Sequence, residues 1–148
     1  ADLDAARARF EDVPLDRLLV AVDPPSSQGA KADTCGIVVA GRVGNGRMAR
    51  AMVLADCSVQ GLAPRGWARA VVGAFESYEA DYVLAESNQG GEMVRAVLQQ
   101  ACPGLPVRLV HASRSQSFKG SPDRVDALVW AISDLLFTAP AEPRARIL

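Results

Sequence analysis

Four acidic residues occupy positions from which their carboxylates could converge. Asp23 ends the apolar run 18–23, Glu86 follows the apolar run 82–85, and Asp126 lies inside the apolar segment 125–131, three residues after Asp123. Phosphodiester cleavage by two metal ions needs divalent cations about 4 Å apart, held by hard oxygen ligands. Carboxylates brought together from separate elements meet that need. We therefore take these four residues as the candidate catalytic cluster.

The elements around these residues indicate how they would meet. The run Leu-Leu-Val-Ala-Val-Asp at 18–23 is typical of a central strand buried on both faces, and Tyr-Val-Leu-Ala at 82–85 is typical of a second such strand. If the two strands are parallel neighbours, their carboxyl ends lie side by side, where open α/β sheets usually bind ligands. A last helix packed across that edge would bring Asp126 to the cluster, with Asp123 on the same helical face.

The remaining segments predict the other elements of the fold. Strands are expected at 35–41 and at about 48–56, with an Asn45-Gly46 turn pair between them, which suggests an antiparallel meander of the first three strands. Apolar residues at helical spacing predict one helix from Trp67 to about Tyr78 and another from about 92 to 102, and a fifth strand follows at 107–111.

The last helix is predicted to begin at the capping sequence Ser-Pro-Asp at 121–123 and to continue through a series of apolar residues: Val125, Leu128, Val129, Ile132, Leu135 and Leu136. The order of elements is then β-β-β-α-β-α-β-α. This order predicts an α/β fold in which a central mixed five-stranded sheet is flanked by helices.

Composition limits the classes of protein to which the chain can belong. Its 148 residues, 49% of them hydrophobic and 22% charged, fit a single domain over 1–148. The net charge of −1 argues against a surface built as a whole to hold nucleic acid. Three widely spaced cysteines form neither a disulfide framework nor a Cys-X-X-Cys zinc site. With no signal peptide and no apolar run near the roughly 18 residues of a membrane span, we expect a soluble, intracellular protein.

Each carboxylate also has an ordinary structural explanation. Asp23, which precedes two prolines, fits a turn; Glu86 fits a solvated strand end; and Asp123 fits a favourable charge at a helix N-terminus. Asp126 is harder to explain in this way, because apolar residues flank it on both sides. Basic residues near the cluster, namely Lys31, Arg114, Lys119 and Arg124, are candidate contacts to DNA phosphates, although solvated surface charge explains each one alone.

The sequences of four segments are more specific than the presence of the candidate carboxylates alone. They are Val-Ala-Val-Asp-Pro-Pro at 20–25, Asp-Thr-Cys-Gly-Ile-Val-Val-Ala-Gly at 33–41, Ala-Glu-Ser-Asn-Gln-Gly-Gly at 85–91 and Ser-Pro-Asp-Arg-Val-Asp-Ala-Leu-Val-Trp-Ala at 121–131. In sequence and order they closely resemble segments of the C-terminal nuclease domain of phage terminase large subunits, which is an RNase H-like domain. Within that family they are most similar to the terminases of prophages and gene transfer agents. The resemblance extends from about Asp12 to Leu136.

The resemblance implies a function and a set of roles. In that family the acids that match Asp23, Glu86 and Asp126 bind two Mg²⁺ or Mn²⁺ ions, and Asp123 matches the position of an accessory acid or His in some relatives. The implied activity is endonucleolytic cleavage of double-stranded DNA at the start and end of genome packaging, in the cytoplasm of a bacterial host. The implied partners are the terminase ATPase domain, the small terminase and the portal protein.

Two departures from the family pattern qualify this expectation. The chain has no phosphate-binding Gly-Lys-Ser/Thr loop, so the ATPase motor domain is absent and no ATP hydrolysis is expected. Relatives usually carry several dozen more residues between the positions of Arg114 and Lys119. This shortfall is either a natural deletion or a join across a missing segment near 114–119. We favour the missing segment, because strand five would otherwise run almost directly into the last helix.

Three other interpretations compete with a packaging nuclease. A Holliday-junction resolvase or an RNase H would use the same carboxylates on another substrate. A nucleotide-binding domain of the actin and sugar-kinase type also opens with a strand, an Asp and a hairpin, but it expects a Gly-rich phosphate turn where Pro24 and Pro25 stand. A non-catalytic assembly module would carry the carboxylates incidentally, and metal binding would distinguish it from the nucleases.

Overall fold

The computed structural model describes residues 15–25, 34–44, 46–86, 91–110, 127 and 131–136. Within these ranges the chain forms six strands: β1 (Arg17–Asp23), β2 (Thr34–Val43), β3 (Arg50–Asp56), β4 (Val59–Gln60), β5 (Tyr82–Glu86) and β6 (Val107–Val110). The helices of these ranges are α1 (Pro64–Ser77), α2 (Gly91–Ala101) and the helical residues 127 and 131–136, which we call α3. None of these helices is long and apolar enough to cross a membrane.

The described strands form one mixed sheet in the order β3-β2-β1-β5-β6, with β4 paired to β2 outside this path. β1 pairs antiparallel with β2, and β2 pairs antiparallel with β3. β5 lies parallel to β1 and to β6. The predicted α/β class, the antiparallel meander of the first three strands and the parallel contact between the first strand and the strand that ends at Glu86 are confirmed.

The predicted number of strands was wrong. The described sheet has six strands rather than five, because Val59 and Gln60 of β4 pair with Cys35 and Thr34 at the start of β2. Two residues are too few to show the alternation by which strands are predicted. The turn between β2 and β3 contains Gly44 at a φ of 83°, which favours glycine, and a 3-10 turn at Gly46–Met48.

The sheet has an apolar core on each face, because successive side chains of a strand point to opposite sides. Leu18, Val20 and Val22 of β1 belong to the core that α1 and α2 cover, which we call the first face. Leu19 and Ala21 belong to the other core, which we call the second face; its further members are Val38, Ala40, Tyr82, Leu84, Ala127, Ala131 and Leu135. β1 is thus buried on both faces, as its apolar run predicted.

Helix α3 buries two alanines and an aspartate in addition to one of the apolar residues named from the sequence. Ala127, Ala131, Asp134 and Leu135 are buried, whereas Ile132 and Leu136 are only partly buried. The buried positions follow the i, i+4, i+7, i+8 spacing of one helical stripe. Small alanine side chains let the helix lie close to the sheet, and polar contacts described below hold Asp134 against it. The other predicted positions, Val125, Leu128 and Val129, lie outside the described residues, as does the predicted missing segment near 114–119.

The starts of β1 and β5 are joined by a pair of hydrogen bonds that precede the first residues of their ladder. The Asp81 N–H donates to the Leu18 carbonyl at 2.7 Å, and the Leu18 N–H donates to Asp81 Oδ2 at 2.8 Å. Asp81 is 8% exposed and Leu18 is 3% exposed, so both bonds lie in the interior. They help to set the register in which β5 lies against β1.

Asp81→Ala should destabilise the protein, because the buried Leu18 amide loses its acceptor. We expect the free energy of unfolding, measured by urea denaturation, to fall by about 1–3 kcal/mol. Asp81→Asn keeps a side-chain oxygen in the same place and should lose less. An equal loss in the two variants would show that charge, rather than an acceptor for Leu18, is what Asp81 contributes.

Candidate active site

The two candidate carboxylates of the described residues lie at neighbouring strand ends. Asp23 is the last residue of β1 and Glu86 is the last residue of β5. The parallel register runs from Leu19 opposite Tyr82 to Val22 opposite Ala85, so each acid stands one position beyond the last pair. The two carboxyl ends therefore lie side by side, as the sequence predicted.

The two carboxylates also point to the same side of the sheet. Asp23 is two positions after Ala21, and Glu86 is two positions after Leu84; Ala21 and Leu84 both belong to the second-face core. Because alternate residues of a strand share a face, Asp23 and Glu86 lie on the second face as well. Both residues are only partly buried. This is the face on which α3 packs.

The residues that pair with Asp23 and Glu86 on the neighbouring strands differ in size. The antiparallel partner of Asp23 is Gly36, which has no side chain to occupy the space next to the carboxylate. Two prolines follow Asp23, and because proline has no N–H to donate, they end the ladder there. The partner of Glu86 in β6 is Val110, which packs against the second-face core.

Helix α2 begins against the backbone of Glu86. An ideal Cβ placed on Gly91 would lie 2.7 Å from the Glu86 carbonyl oxygen and 3.3 Å from Cδ2 of Leu109. Real Cβ atoms do not approach a backbone oxygen so closely. A glycine is therefore required at the first residue of α2 if the helix is to start this close to the end of β5.

The other predicted site residues lie outside the described residues: Asp123, Asp126, Lys31, Arg114, Lys119 and Arg124. Within the described ranges no three His, Cys, Asp or Glu side chains are grouped to hold a metal ion. The Asp23 and Glu86 carboxylates fit part of such a site, because they are partly exposed oxygen donors at adjacent strand ends on one face. Hard oxygen donors of this kind suit Mg²⁺ and Mn²⁺.

Sequence reasoning missed a buried polar cluster at the opposite end of the same face. Four residues form it, and we call it the Asp134 cluster: Arg17, Tyr82, Arg108 and Asp134. Arg17 Nη1 donates to the Asp134 carbonyl at 3.1 Å and lies 3.8 Å from Oδ2, to which the Tyr82 hydroxyl donates. Arg108 Nη1 lies 3.6 Å from Oδ1, and its guanidinium stacks 4.6 Å from the Tyr82 ring centre.

Burial and the hydrogen bond to Asp134 raise the pKa of Tyr82 well above its usual range, so its hydroxyl remains a donor at neutral pH. The sequence held one signal of the cluster. Asp134 stands seven positions after Ala127, at the spacing of the buried stripe of α3. A carboxylate at such a position predicts a buried basic partner, but the spacing does not say which one.

The fold is similar to that of RuvC from Thermus thermophilus, an RNase H-like resolvase, with a TM-score of 0.55 and 16% identity over 78% of this chain and 91% of that chain. The model of the terminase RNaseH-like domain matches residues 20–119, and the chain belongs to this family. No curated protein matches the sequence.

The family match includes Asp23 and Glu86 and ends before Asp123 and Asp126. Family and fold together support a nuclease of the RNase H-like superfamily. The predicted family and fold are thereby confirmed. The roles of the individual site residues stay predictions.

Gly91→Ala should move the backbone that carries Glu86, because the new methyl group meets a carbonyl rather than a flexible side chain. We expect the free energy of unfolding to fall by about 1–3 kcal/mol. The matched control is Gly73→Ala in α1, where an added Cβ meets nothing within 4 Å. There the helix propensity of alanine should raise the free energy of unfolding by up to about 1 kcal/mol. Urea denaturation of both variants measures the contrast, and two changes of the same sign would contradict it.

Proposed function

We propose that this chain is a metal-dependent endonuclease that cuts double-stranded DNA during viral-type genome packaging. The observation that carries the proposal is the pair Asp23 and Glu86, at the ends of two parallel strands and on one face of the sheet. Open α/β sheets usually bind their ligands at this edge. Membership of the terminase RNaseH-like domain family supports DNA as the substrate.

Asp126 is proposed as the third ligand. It directly precedes Ala127, whose side chain is buried in the second-face core. Asp134 contacts Arg17 and Tyr82, the first residues of β1 and β5, so Asp134 and Ala127 both lie against the face that carries Asp23 and Glu86. Asp123 is proposed as an accessory acid beside Asp126.

The proposed roles follow from the chemistry of the donors. Asp23, Glu86 and Asp126 would hold two Mg²⁺ or Mn²⁺ ions, which when bound supply an activated water and neutralise charge on the leaving oxygen. The protein contributes the positions of the Asp23 and Glu86 carboxylates at the ends of two paired parallel strands. Lys31, Arg114, Lys119 and Arg124 are proposed to hold DNA phosphates near the cluster.

The packaging role follows from the family and sets the expected partners. A terminase nuclease acts with an ATPase motor domain, a small terminase and a portal protein, in the cytoplasm of a bacterial host. The net charge of −1 is consistent with this arrangement, because the chain by itself has no excess positive charge with which to retain DNA. Partner domains would then supply much of the affinity for the substrate.

The test is cleavage of supercoiled plasmid with Mn²⁺, Mg²⁺ or EDTA, comparing the unmodified chain with Asp23→Asn, Glu86→Gln and Asp126→Asn. We expect metal-dependent nicking and linearisation in the unmodified chain and a loss of at least about 100-fold in each variant, because each substitution removes a charged ligand. Glu76→Gln, at an exposed position of α1 on the other face, is the matched control and should cut normally.

Each contrary result has a distinct meaning. Activity that survives both Asp23→Asn and Glu86→Gln would reject the carboxylate assignment. Stronger cleavage of branched DNA or of RNA–DNA hybrids than of linear duplex would favour a resolvase or an RNase H over a packaging nuclease. If no substrate is cut and Mn²⁺ does not bind, the chain is a non-catalytic assembly module.

A further inference from the structure

Position 91 is occupied by glycine for reasons of space rather than of backbone conformation. Gly91 is the buried first residue of α2, and its φ is not among the positive ones that require glycine. Alanine favours a helix more than glycine does, so helix propensity does not explain the glycine either. The remaining explanation is contact, because a Cβ at this position would lie 2.7 Å from the Glu86 carbonyl oxygen and 3.3 Å from its carbon.

Helix α2 is held firmly on its own side of this contact. Val94 and Leu98 are buried in the first-face core, where close packing makes even small shifts costly. Two side chains of the helix also donate to backbone carbonyls at the start of β6: Arg95 Nη2 to Val107 at 3.4 Å and Gln99 Nε2 to Leu105 at 3.2 Å. The helix therefore cannot withdraw from Glu86 without disturbing the core and these hydrogen bonds.

The end of β5 is the less constrained side of the contact. Ala85 pairs with Val22 of β1 and with Leu109 of β6. Glu86 pairs with Val110 of β6 and lies one position beyond the last pair with β1. A methyl group added at position 91 is therefore expected to displace the Glu86 peptide more than the helix, and the Glu86 carboxylate moves with its backbone.

A displacement of this size matters for the geometry of a bound cation. Ordinary van der Waals contact begins at 3.4 Å, so a Cβ that starts 2.7 Å from the carbonyl oxygen must separate from it by about 0.7 Å. Mg²⁺ demands a nearly octahedral set of oxygens at about 2.0–2.1 Å, with a tolerance of about 0.2 Å. Ca²⁺ accepts six to eight oxygens at about 2.3–2.6 Å in flexible arrangements. A displaced carboxylate therefore disfavours Mg²⁺ more than Ca²⁺.

We propose that the close contact between Gly91 and the Glu86 carbonyl determines the cation specificity of the site, because it fixes the Glu86 carboxylate where a small octahedral cation is preferred to Ca²⁺. This inference rests on the proposed function, in which Glu86 is a metal ligand. Gly91 has no side chain with which to bind a cation, so it acts through Glu86 and is a positioning residue.

The test measures the dissociation constants of Mg²⁺ and of Ca²⁺ separately, by calorimetry on the chain without DNA. In Gly91→Ala we expect the constant for Mg²⁺ to rise about tenfold or more and the constant for Ca²⁺ to rise by less than about threefold. The ratio of the two constants is the readout, because partial unfolding weakens the binding of both ions by the same factor. Circular dichroism checks that the variant is folded.

A second variant reaches the same contact without an added atom. Val94→Ala removes buried packing three residues into α2 and so loosens the start of the helix against Glu86. We expect the preference for Mg²⁺ over Ca²⁺ to fall in this variant as well, though by less. If Gly91→Ala does not fold, Val94→Ala decides the question, and an unchanged ratio there overturns the proposal.

Three comparisons distinguish positioning from a general loss of stability. Gly73→Ala, whose added Cβ meets nothing within 4 Å, should leave both constants unchanged. Val71→Ala truncates a fully buried residue of α1 and should weaken the fold without changing the ratio. In a Glu86→Gln background, Gly91→Ala should not change the ratio further, because the ligand through which it acts is already altered. An unchanged ratio in Gly91→Ala, an equal fall in Val71→Ala, or an additive change in the double variant would contradict the proposal.

The same measurements separate failure of this inference from failure of the proposed function. If Asp23→Asn and Glu86→Gln weaken the binding of both ions but Gly91→Ala leaves the ratio unchanged, the active site stands and the specificity role of Gly91 is rejected. If Asp23→Asn and Glu86→Gln leave the binding of both ions unchanged, or if the unmodified chain binds neither ion, the proposed site itself is rejected, and the specificity role falls with it.

Discussion

The parallel pairing of β1 with β5 is the contact on which the candidate site depends. β1 ends at residue 23 and β5 begins at residue 82, so the pairing brings together two carboxylates that are distant in the chain. Because side chains alternate along a strand, a slip of one residue would move Glu86 to the first face, away from Asp23. The bonds between Asp81 and Leu18, and the contact of Tyr82 with Asp134, hold the register at the start of both strands. Contacts at one end of the sheet thus determine which face carries the carboxylate at the other end.

The two faces of the sheet are built differently, and the difference matters for function. The first face is covered by α1 and α2 through a broad apolar core that includes Trp67, Val71 and Leu98. The second face has a narrower apolar centre around Leu19, Ala21 and Leu84, with polar residues at both ends. The Asp134 cluster lies at one end, and Asp23 with Glu86 lies at the other. The first face supplies most of the described hydrophobic packing, and the second face carries the groups capable of chemistry.

The sequence predicted those parts of the molecule that short-range patterns determine. The apolar runs that end in Asp23 and Glu86 were sufficient to predict β1, β5 and acids at their ends, because a strand buried on both faces has a distinctive composition. The sequence did not reveal β4, which has two residues, or the buried face of α3. That face includes Asp134, whose partner Arg17 is 117 positions away, and no local pattern identifies such a partner. Asp126 lies outside the described residues and beyond the family match, so its role remains a prediction.

The charges on the described surface are distributed unequally between the two faces of the sheet. The exposed arginines of the described residues are Arg47, Arg50, Arg65 and Arg69. Arg65 and Arg69 lie on α1, which covers the first face, whereas Asp23 and Glu86 lie on the second. Arg47 and Arg50 come shortly after the last residues of β2. There Arg42 pairs with Arg17, which is the first residue of β1, whereas Asp23 is the last residue of β1. The candidate edge therefore has acidic groups without an exposed described arginine beside them, and phosphates are repelled there unless cations compensate. An anionic substrate at this edge would need compensating positive charge beyond that of the described exposed arginines.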